Sequence, residues 1–359
     1  MPAPQERDIE KTASLLKRWF VESQGLPDDI SINIKGGPEN TGFSNETLTF
    51  KVKYSHGKSE GYVIRFSPTG YKVFPDYDIK KQYQLMEFLK QQQITVPDVV
   101  AYEDDESILD SSFYLMRECS GEAPSDNPPF HQEGWVFDTT PDIRSLLWKN
   151  WLDEMIKVHK IEADQSSIGF LNRPHLAANH LDQELAYYYK FHDWAMDGEV
   201  HPIADSAREF LKQNKPITDN NNSRIVWGDC RLANVMYTPN GELSAALDWE
   251  MAILGDPCLD LAWGIAIDDC NSLGLNIPKL PGFMSTEETI DYWEKHSGFS
   301  AANYDYFYTL ALYKFTVIMI KVVKKLEYYE IMPTGLGAHI NNHASGMLAK
   351  HMELSLIHI

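Results

Sequence analysis

The feature that most constrains the fold is a change in hydrophobic period near residue 120. Between residues 31 and 66, apolar and polar side chains alternate in the runs ISINIKGG, ETLTFKVKYS and SEGYVIRFS, and glycines separate the runs. This alternation predicts an antiparallel meander. Helical periodicity predicts helices at residues 8–23 and 78–91, and ITVPDVVAYEDD and SSFYLMREC predict two further strands. We therefore expect the first part of the chain to be a small sheet with an inserted helix.

The chain changes character after Gly121. A Pro-rich segment, PSDNPPFHQEG, is followed by periodic runs that predict long helices at residues 141–160, 180–198, 203–214, 286–296 and 301–331. A β-like segment at residues 224–249 interrupts them. Because 359 residues exceed a typical single domain, we predict two units, at residues 1–119 and 120–359. The fold class expected is α+β.

The amino-acid composition limits the classes of protein to which the chain can belong. Hydrophobic residues make up 43% of the chain, which is typical of a globular protein. A net charge of -20 and the lack of a basic stripe argue against nucleic acid as a partner. The four cysteines form no C-x-x-C pair and the first residues lack an apolar leader, so we expect reduced thiols and a cytoplasmic location. The most apolar run, residues 310–323, is interrupted by Lys314 and Lys321, and no membrane anchor is expected.

The chemistry is concentrated in residues 224–260, RIVWGDCRLANVMYTPNGELSAALDWEMAILGDPCLD. A short strand leads to Asp229, Asn234 follows five residues later, and a predicted hairpin ends at Asp248. Phosphoryl transfer depends on fixed geometry and on stabilisation of charge. A carboxylate and an amide oxygen suit Mg²⁺, so Asp248 and Asn234 are predicted metal ligands. Asp229 is the predicted catalytic residue, which orients an acceptor hydroxyl and takes its proton.

This segment resembles the aminoglycoside phosphotransferase family, also called the phosphotransferase enzyme family or choline/aminoglycoside kinase-like proteins. The family signature is close to H-G-D-x-x-x-x-N, then I-D-W-E and G-D-P-x-x-D-L, and the resemblance covers residues 30–330. It implies a bilobal protein-kinase-like fold, with a small antiparallel-sheet amino-terminal lobe and a larger, mainly helical carboxy-terminal lobe. It also implies ATP or GTP as cosubstrate, Mg²⁺, and a small hydroxylated acceptor. Asp260 matches a family aspartate that would brace the catalytic loop, whereas Asp256 is expected to cap a helix.

The resemblance also places nucleotide-binding residues in the amino-terminal lobe. A turn would cradle the phosphates, Arg65 would anchor them, and Gln82 would hydrogen-bond Arg65. The adenine ring would lie at the end of the last strand, against backbone groups and Met116. The predicted nucleotide-binding residues are Gly42, Ser44, Asn45, Arg65, Gln82, Met116, Arg117 and Cys119.

Three positions depart from the family pattern. Arg65 stands in place of a lysine, Gln82 in place of a glutamate, and Trp227 in place of a histidine. These departures leave open a nucleotide-binding pseudokinase or regulatory module without acceptor turnover. A protein-substrate kinase is disfavoured, because no D-F-G or A-P-E segment follows Asp248.

The sequence does not reveal the identity of the acceptor. The acidic composition would suit a cationic compound such as an aminoglycoside, but relatives act on different hydroxyl compounds. The aromatic runs AYYYKFHDWA and YDYFYTLALYKF would line an acceptor pocket or simply pack between helices. The sequence does not indicate the oligomeric state.

Overall fold

The computed structural model describes residues 7–37, 46–162 and 165–353. Within them the strands are β1 (Ser31–Gly36), β2 (Glu46–Lys53), β3 (Ser59–Phe66), β4 (Val99–Glu103), β5 (Phe113–Arg117), β6 (Arg224–Val226), β7 (Val235–Tyr237), β8 (Leu243–Ala246) and β9 (Ile253–Gly255). The helices are α1 (Ile9–Glu22), α2 (Ile79–Gln91), α3 (Glu106–Leu109), α4 (Trp135–Asp138), α5 (Pro141–His159), α6 (Gln165–Ile168), α7 (His180–Met196), α8 (Pro202–Gln213), α9 (Cys258–Asn271), α10 (Thr286–Ser297), α11 (Tyr304–Tyr328) and α12 (His343–His351). A five-stranded antiparallel sheet is thus followed by a mainly helical region, which confirms the predicted fold class.

The amino-terminal sheet has the strand order β1-β2-β3-β5-β4, and each neighbouring pair is antiparallel. Alternation in β2 buries Leu48, Phe50 and Val52, whose side chains share a small core with Trp19 and Phe20 of α1. The period-2 pattern read from the sequence therefore marks the face that packs against α1.

Helix α2 joins the two lobes through a second core. Its residues Leu85, Met86 and Leu89 are buried in the same apolar cluster as Trp151 of α5 and Leu310 of α11. The opposite faces of the sheet therefore belong to different cores. The sheet is fixed to the helical region by apolar packing as well as by chain connection.

The predicted long helices are present, but α9 and α12 were not predicted. Every residue of α9 except the last is buried, so the helix has no polar face and its sequence shows no clear 3.6-residue period. Helix α9 lies behind the segment that the sequence marks as chemical. It consequently holds residues of the site that the sequence analysis missed.

Helix α11 is long and apolar enough to cross a membrane, judged by length and composition alone. Of its most apolar window, 83% is buried inside the protein. Such burial is typical of the core helix of a globular domain.

Gly264 lets α9 approach α5 closely, and we predict that Gly264→Ala is destabilising. A methyl group there would lie 2.3 Å from Cζ2 of Trp151 and 2.8 Å from the carbonyl oxygen of Cys230. We expect the free energy of unfolding in urea to fall by about 2 kcal/mol. Gly346→Ala, in α12 with nothing within 4 Å, is the control and is expected to be neutral or stabilising. Equal stability of the two variants would contradict this packing.

Candidate active site

The carboxylate of Asp229 is held by three side chains. Nδ2 of Asn234 donates to Oδ2 at 2.7 Å and to the Asp229 carbonyl oxygen at 2.9 Å. Nε1 of Trp263 donates to Oδ1 at 2.7 Å, and Nε of Arg231 lies 3.0 and 3.1 Å from the two carboxylate oxygens. The structure therefore fixes the orientation of the side chain that the sequence predicts to be catalytic.

Arg231 links this carboxylate to a second one, on the loop before α4. Its Nη1 contacts Oδ2 of Asp126, while Nδ2 of Asn271 lies 3.3 Å from Oδ1 of the same aspartate. Burial alone would lower the pKa of Arg231, but the carboxylates of Asp126 and Asp229 more than offset it, and the pKa is raised. Arg231 therefore remains a cation beside Asp229.

The loops that carry Asn234 and Asp248 are joined by backbone contacts. The amide of Leu247 donates to the carbonyl oxygen of Asn234 at 2.8 Å. Asp248 itself has a φ of 62°, so the chain turns sharply at the end of the β7–β8 hairpin. The structure thus brings the loops of Asp229, Asn234 and Asp248 together.

The Trp227 side chain connects the loop of Asp229 to the loop of Asp248. Its Nε1 donates to the carbonyl oxygens of Leu247 at 2.8 Å and Asp248 at 3.2 Å. Its ring stacks on Trp249, with centroids 4.6 Å apart and an interplanar angle of 13°. Where the family has a histidine, this chain has Trp227, whose indole therefore contacts both loops.

We predict that Trp227→Phe keeps the fold and weakens the active site. Phenylalanine can still stack on Trp249, but it leaves the carbonyl oxygens of Leu247 and Asp248 without their donor. Acceptor-dependent kcat is expected to fall roughly tenfold, with a loss of stability of about 1 kcal/mol in urea unfolding. Trp19→Phe removes an indole hydrogen bond to Glu103 far from the site and serves as the control. If the two variants lost the same activity, the indole bridge would have no special role.

Asp260 braces the loop of Asp229, as the family resemblance implies. Its Oδ2 accepts from the Trp227 amide at 2.7 Å and its Oδ1 from the Gly228 amide at 2.8 Å. His159 of α5 lies 3.0 Å from Oδ2 and is fully buried. Gly228 has a φ of 90°, and a Cβ there would lie 2.2 Å from the Met251 carbonyl oxygen, so only glycine fits.

Arg65 of β3 forms an ion pair with Asp248. Its Nη1 lies 3.1 Å from Oδ1, and the two side chains are 11% and 14% exposed. Burial alone would lower the pKa of Arg65, but Asp248, Tyr114 and Glu250 more than offset it, and the pKa is raised. The predicted phosphate anchor thus already pairs with a predicted metal ligand.

Gln82 is connected to Arg65 through Tyr114, rather than by the direct hydrogen bond expected. The register of β3 and β5 sets Tyr114 opposite Arg65, and the Tyr114 hydroxyl donates to Oε1 of Gln82 at 3.3 Å. Burial raises the pKa of Tyr114 to about 12, and the Arg65 guanidinium opposes the rise. The hydroxyl therefore stays protonated and remains a donor.

Lys81, next to Gln82 on α2, was not singled out in the sequence. Its Nζ donates to the carbonyl oxygens of Glu250 at 3.0 Å and Ala252 at 3.2 Å. Burial lowers its pKa, and Arg173 adds to the effect. Lys81 therefore ties α2 to the loop that follows Asp248.

The adenine-binding residues stay predictions. Met116 is buried at the end of β5, and the Arg117 amide donates to the Asp98 carbonyl oxygen at 2.8 Å. Sγ of Cys119 lies 3.8 Å from the Arg117 carbonyl oxygen. The predicted phosphate-turn residues lie outside the described residues: they are Gly42, Ser44 and Asn45.

Arg231, Trp263 and Asp126, which surround Asp229, were not predicted from the sequence either. Arg231 lies two residues after Asp229, and Trp263 lies three residues after Asp260, one turn along α9. Arg231 falls inside the motif segment at residues 224–260, and Trp263 lies three residues beyond its end, one helical turn after Asp260. Asp126 lies in a loop 105 residues before its partner Arg231, and no local pattern points to it.

The residues of this site lie within a match to a known protein family. The family model described as "Phosphotransferase enzyme family" matches residues 40–276, which include Arg65 and the entire segment from Trp227 to Trp263. The chain belongs to the phosphotransferase enzyme family.

Curated relatives of this chain include much longer proteins. Human acyl-CoA dehydrogenase family member 11 is 24% identical over 322 residues, which cover 84% of this chain and 39% of the relative. Mouse acyl-CoA dehydrogenase family member 10 is 23% identical over 249 residues, which cover 66% of this chain and 22% of the relative. The chain therefore spans well under half the length of the curated relatives it matches.

Solved structures share the fold along nearly the whole chain. A candidate aminoglycoside phosphotransferase from Ralstonia eutropha aligns with a TM-score of 0.67 and 20% identity, over 95% of this chain and 98% of that one. Plasmodium vivax ethanolamine kinase aligns with a TM-score of 0.57 and 12% identity, over 98% and 97%. A ternary complex of an aminoglycoside phosphotransferase APH(4)-Ia mutant with AMP-PNP and hygromycin B aligns with a TM-score of 0.51 and 16% identity, over 94% and 98%. These similarities confirm the kinase-like fold.

The donor set of this site fits Mg²⁺. Because Nδ2 of Asn234 donates to Asp229, its amide oxygen is the atom left to serve as a ligand. Asp248 supplies a carboxylate on the adjoining loop. Among the described residues no group of three or more His, Cys, Asp or Glu could hold a metal ion. Magnesium suits a site with only one or two carboxylates, because substrate phosphates and waters complete its shell.

Proposed function

We propose that this protein is a magnesium-dependent kinase that transfers the γ-phosphoryl group of ATP or GTP to a hydroxyl group of a small molecule. One observation carries the proposal: the Asp229 carboxylate is fixed by three donors beside the loops of Asn234 and Asp248. A residue that only shaped a turn would not require an indole, a guanidinium and an amide from three positions.

The chain's own residues have distinct tasks in this reaction. The acceptor oxygen bonds to the γ-phosphorus as the bond to the β,γ-bridging oxygen breaks, and the hydroxyl proton passes to the Asp229 carboxylate. Asn234 and Asp248 would hold Mg²⁺, which neutralises phosphate charge when it is bound. Trp227 and Asp260 keep the two loops in register.

Structural relatives support the choice of substrates. One of them binds AMP-PNP together with hygromycin B, and another is an ethanolamine kinase. The first name pairs a nucleotide analogue with a small acceptor, and the second names a small amino alcohol. The net charge of -20 further favours a cationic acceptor, which would be drawn to the protein by its field.

A nucleotide-binding module without turnover is the second candidate. The Arg65–Asp248 ion pair favours it, because the guanidinium occupies a carboxylate that the kinase would use for Mg²⁺. Such a protein would bind nucleotide but transfer no phosphoryl group.

The deciding experiment is release of ADP or GDP across a panel of hydroxylated small molecules, with Mg²⁺ or with EDTA. The panel contains amino alcohols, aminoglycosides, neutral sugars and hydroxy acids. We expect one class to stimulate nucleotide turnover and EDTA to abolish it. Calorimetric binding of nucleotide without stimulation by any class would instead support the second candidate.

A further inference from the structure

A cluster of three charged residues lies beside the candidate active site, and two of them, Lys314 and Glu184, are buried while Arg173 is 20% exposed. Nζ of Lys314, on α11, is 2.7 Å from Oε1 of Glu184 on α7, and each side chain is only 3% exposed. Nη2 of Arg173 is 2.5 Å from the other oxygen of Glu184. Burying such charges costs several kcal/mol per ion, and apolar residues of similar size would often serve stability as well. The cluster therefore calls for a functional explanation.

Lys314 touches the residue that holds Asp229. Its Nζ lies 5.0 Å from the ring centroid of Trp263 and 4.9 Å from that of Tyr188. The Nε1 of the same Trp263 donates to Oδ1 of Asp229 at 2.7 Å. One indole thus has a cation at its face and the carboxylate of the proposed base at its edge.

This arrangement is expected to strengthen the hydrogen bond to Asp229. A cation over an aromatic face attracts π electron density, so the ring N–H becomes a better donor. The effect is larger where water is excluded, as it is around Lys314. Glu184 holds the Lys314 ammonium in place, and Arg173 forms an ion pair with the second carboxylate oxygen of Glu184.

We propose that Lys314 is a positioning residue for phosphoryl transfer, and that it acts through Trp263 to hold the Asp229 carboxylate toward the acceptor. The inference rests on the proposed kinase function for its effect on turnover. The link from Lys314 to the Trp263 N–H is a property of the folded chain and can be measured without turnover.

The kinetic test is a double-mutant cycle in the full chain, using an acceptor found in the panel. Lys314→Met is expected to lower kcat roughly tenfold while the KM for ATP stays within about twofold, and Lys314→Arg should restore most of the loss. In a Trp263→Phe background, Lys314→Met should cause less than about a twofold further loss. The same tenfold loss in both backgrounds would overturn the proposal.

The matched control is Lys321→Met, two turns along the same helix. Nζ of Lys321 lies 4.0 Å from the Trp194 ring centroid and 4.5 Å from that of Tyr71, so this variant removes a similar cation–π contact elsewhere. Its kcat should match that of the wild type. Should Lys314→Met fail to fold, the pair Glu184→Gln and Lys314→Met removes the charge without leaving a carboxylate that lacks its lysine.

The spectroscopic test uses ¹⁵N-tryptophan-labelled protein. The Trp263 indole N–H signal, identified by its absence in Trp263→Phe, should move upfield in Lys314→Met and stay in place in Lys321→Met. An unchanged signal in Lys314→Met would overturn the proposal. A wild-type chain that shows no turnover with any acceptor would refute the kinase function, while this measurement would still decide the coupling.

Discussion

Asp229→Asn is expected to lower acceptor-dependent kcat by roughly 1,000-fold while nucleotide binding stays close to that of the wild type. The amide cannot take the acceptor proton, because it has no carboxylate charge at neutral pH. With its carbonyl oxygen at the Oδ1 position, the amide still accepts from Trp263 and Arg231 and loses only the side-chain hydrogen bond from Asn234, whose second bond, to the Asp229 carbonyl oxygen, remains to hold the loop. The measurement is coupled ADP or GDP release, with nucleotide affinity determined by calorimetry.

Asp291→Asn is the control for this substitution, since Asp291 is exposed on α10 and lies outside the residues assigned to the site. It should leave both kcat and nucleotide affinity unchanged. A variant Asp229→Asn that turned over acceptor at the wild-type rate would remove Asp229 from the mechanism. Loss of nucleotide binding together with activity would point to collapse of the loop rather than loss of a base.

Asp260→Ala is expected to be the most destabilising of the site substitutions. It leaves the amides of Trp227 and Gly228 and the ring of His159 without their common acceptor, all in a buried region. Removing one member of such a buried group typically costs 3 kcal/mol or more, and we expect a loss of about 3 kcal/mol in urea unfolding. Activity should also fall, because Trp227 and Gly228 directly precede Asp229.

Asp256→Ala provides the comparison within the same segment. Oδ1 of Asp256 accepts from the Cys258 amide at 2.9 Å at the start of α9, so the expected cost is about 1 kcal/mol. Equal losses in the two alanine variants would mean that Asp260 acts only as a local cap. The conclusion that Asp260 braces the loop of Asp229 would then be wrong.

Much of the fold and site was predictable where the determinants are local. Alternation in β2 identified its buried face, and the five-residue step from Asp229 to Asn234 spans a single loop closed by one tight turn. The family signature then supplied the kinase-like fold. Asp260 was expected to brace the loop, and it does so through two backbone amides.

The remainder depends on contacts between distant parts of the chain. Trp263 meets Asp229 only because α9 folds back behind the loop, and α9 itself went unpredicted since its burial on all sides removes helical periodicity. Gln82 reaches Arg65 through Tyr114 because of strand register, which the positions of the three residues in the sequence do not reveal. The Arg65–Asp248 pair joins residues 183 positions apart.

Phosphoryl transfer to a small-molecule hydroxyl can be followed by ³¹P NMR of a reaction that contains Mg²⁺, ATP and the stimulating acceptor. We expect one phosphomonoester signal from the acceptor for each ADP formed, with loss of both signals in Asp229→Asn. Formation of ADP with inorganic phosphate alone, or binding of ATP with no change in its three phosphorus signals over the course of the assay, would show that the protein is not a small-molecule kinase.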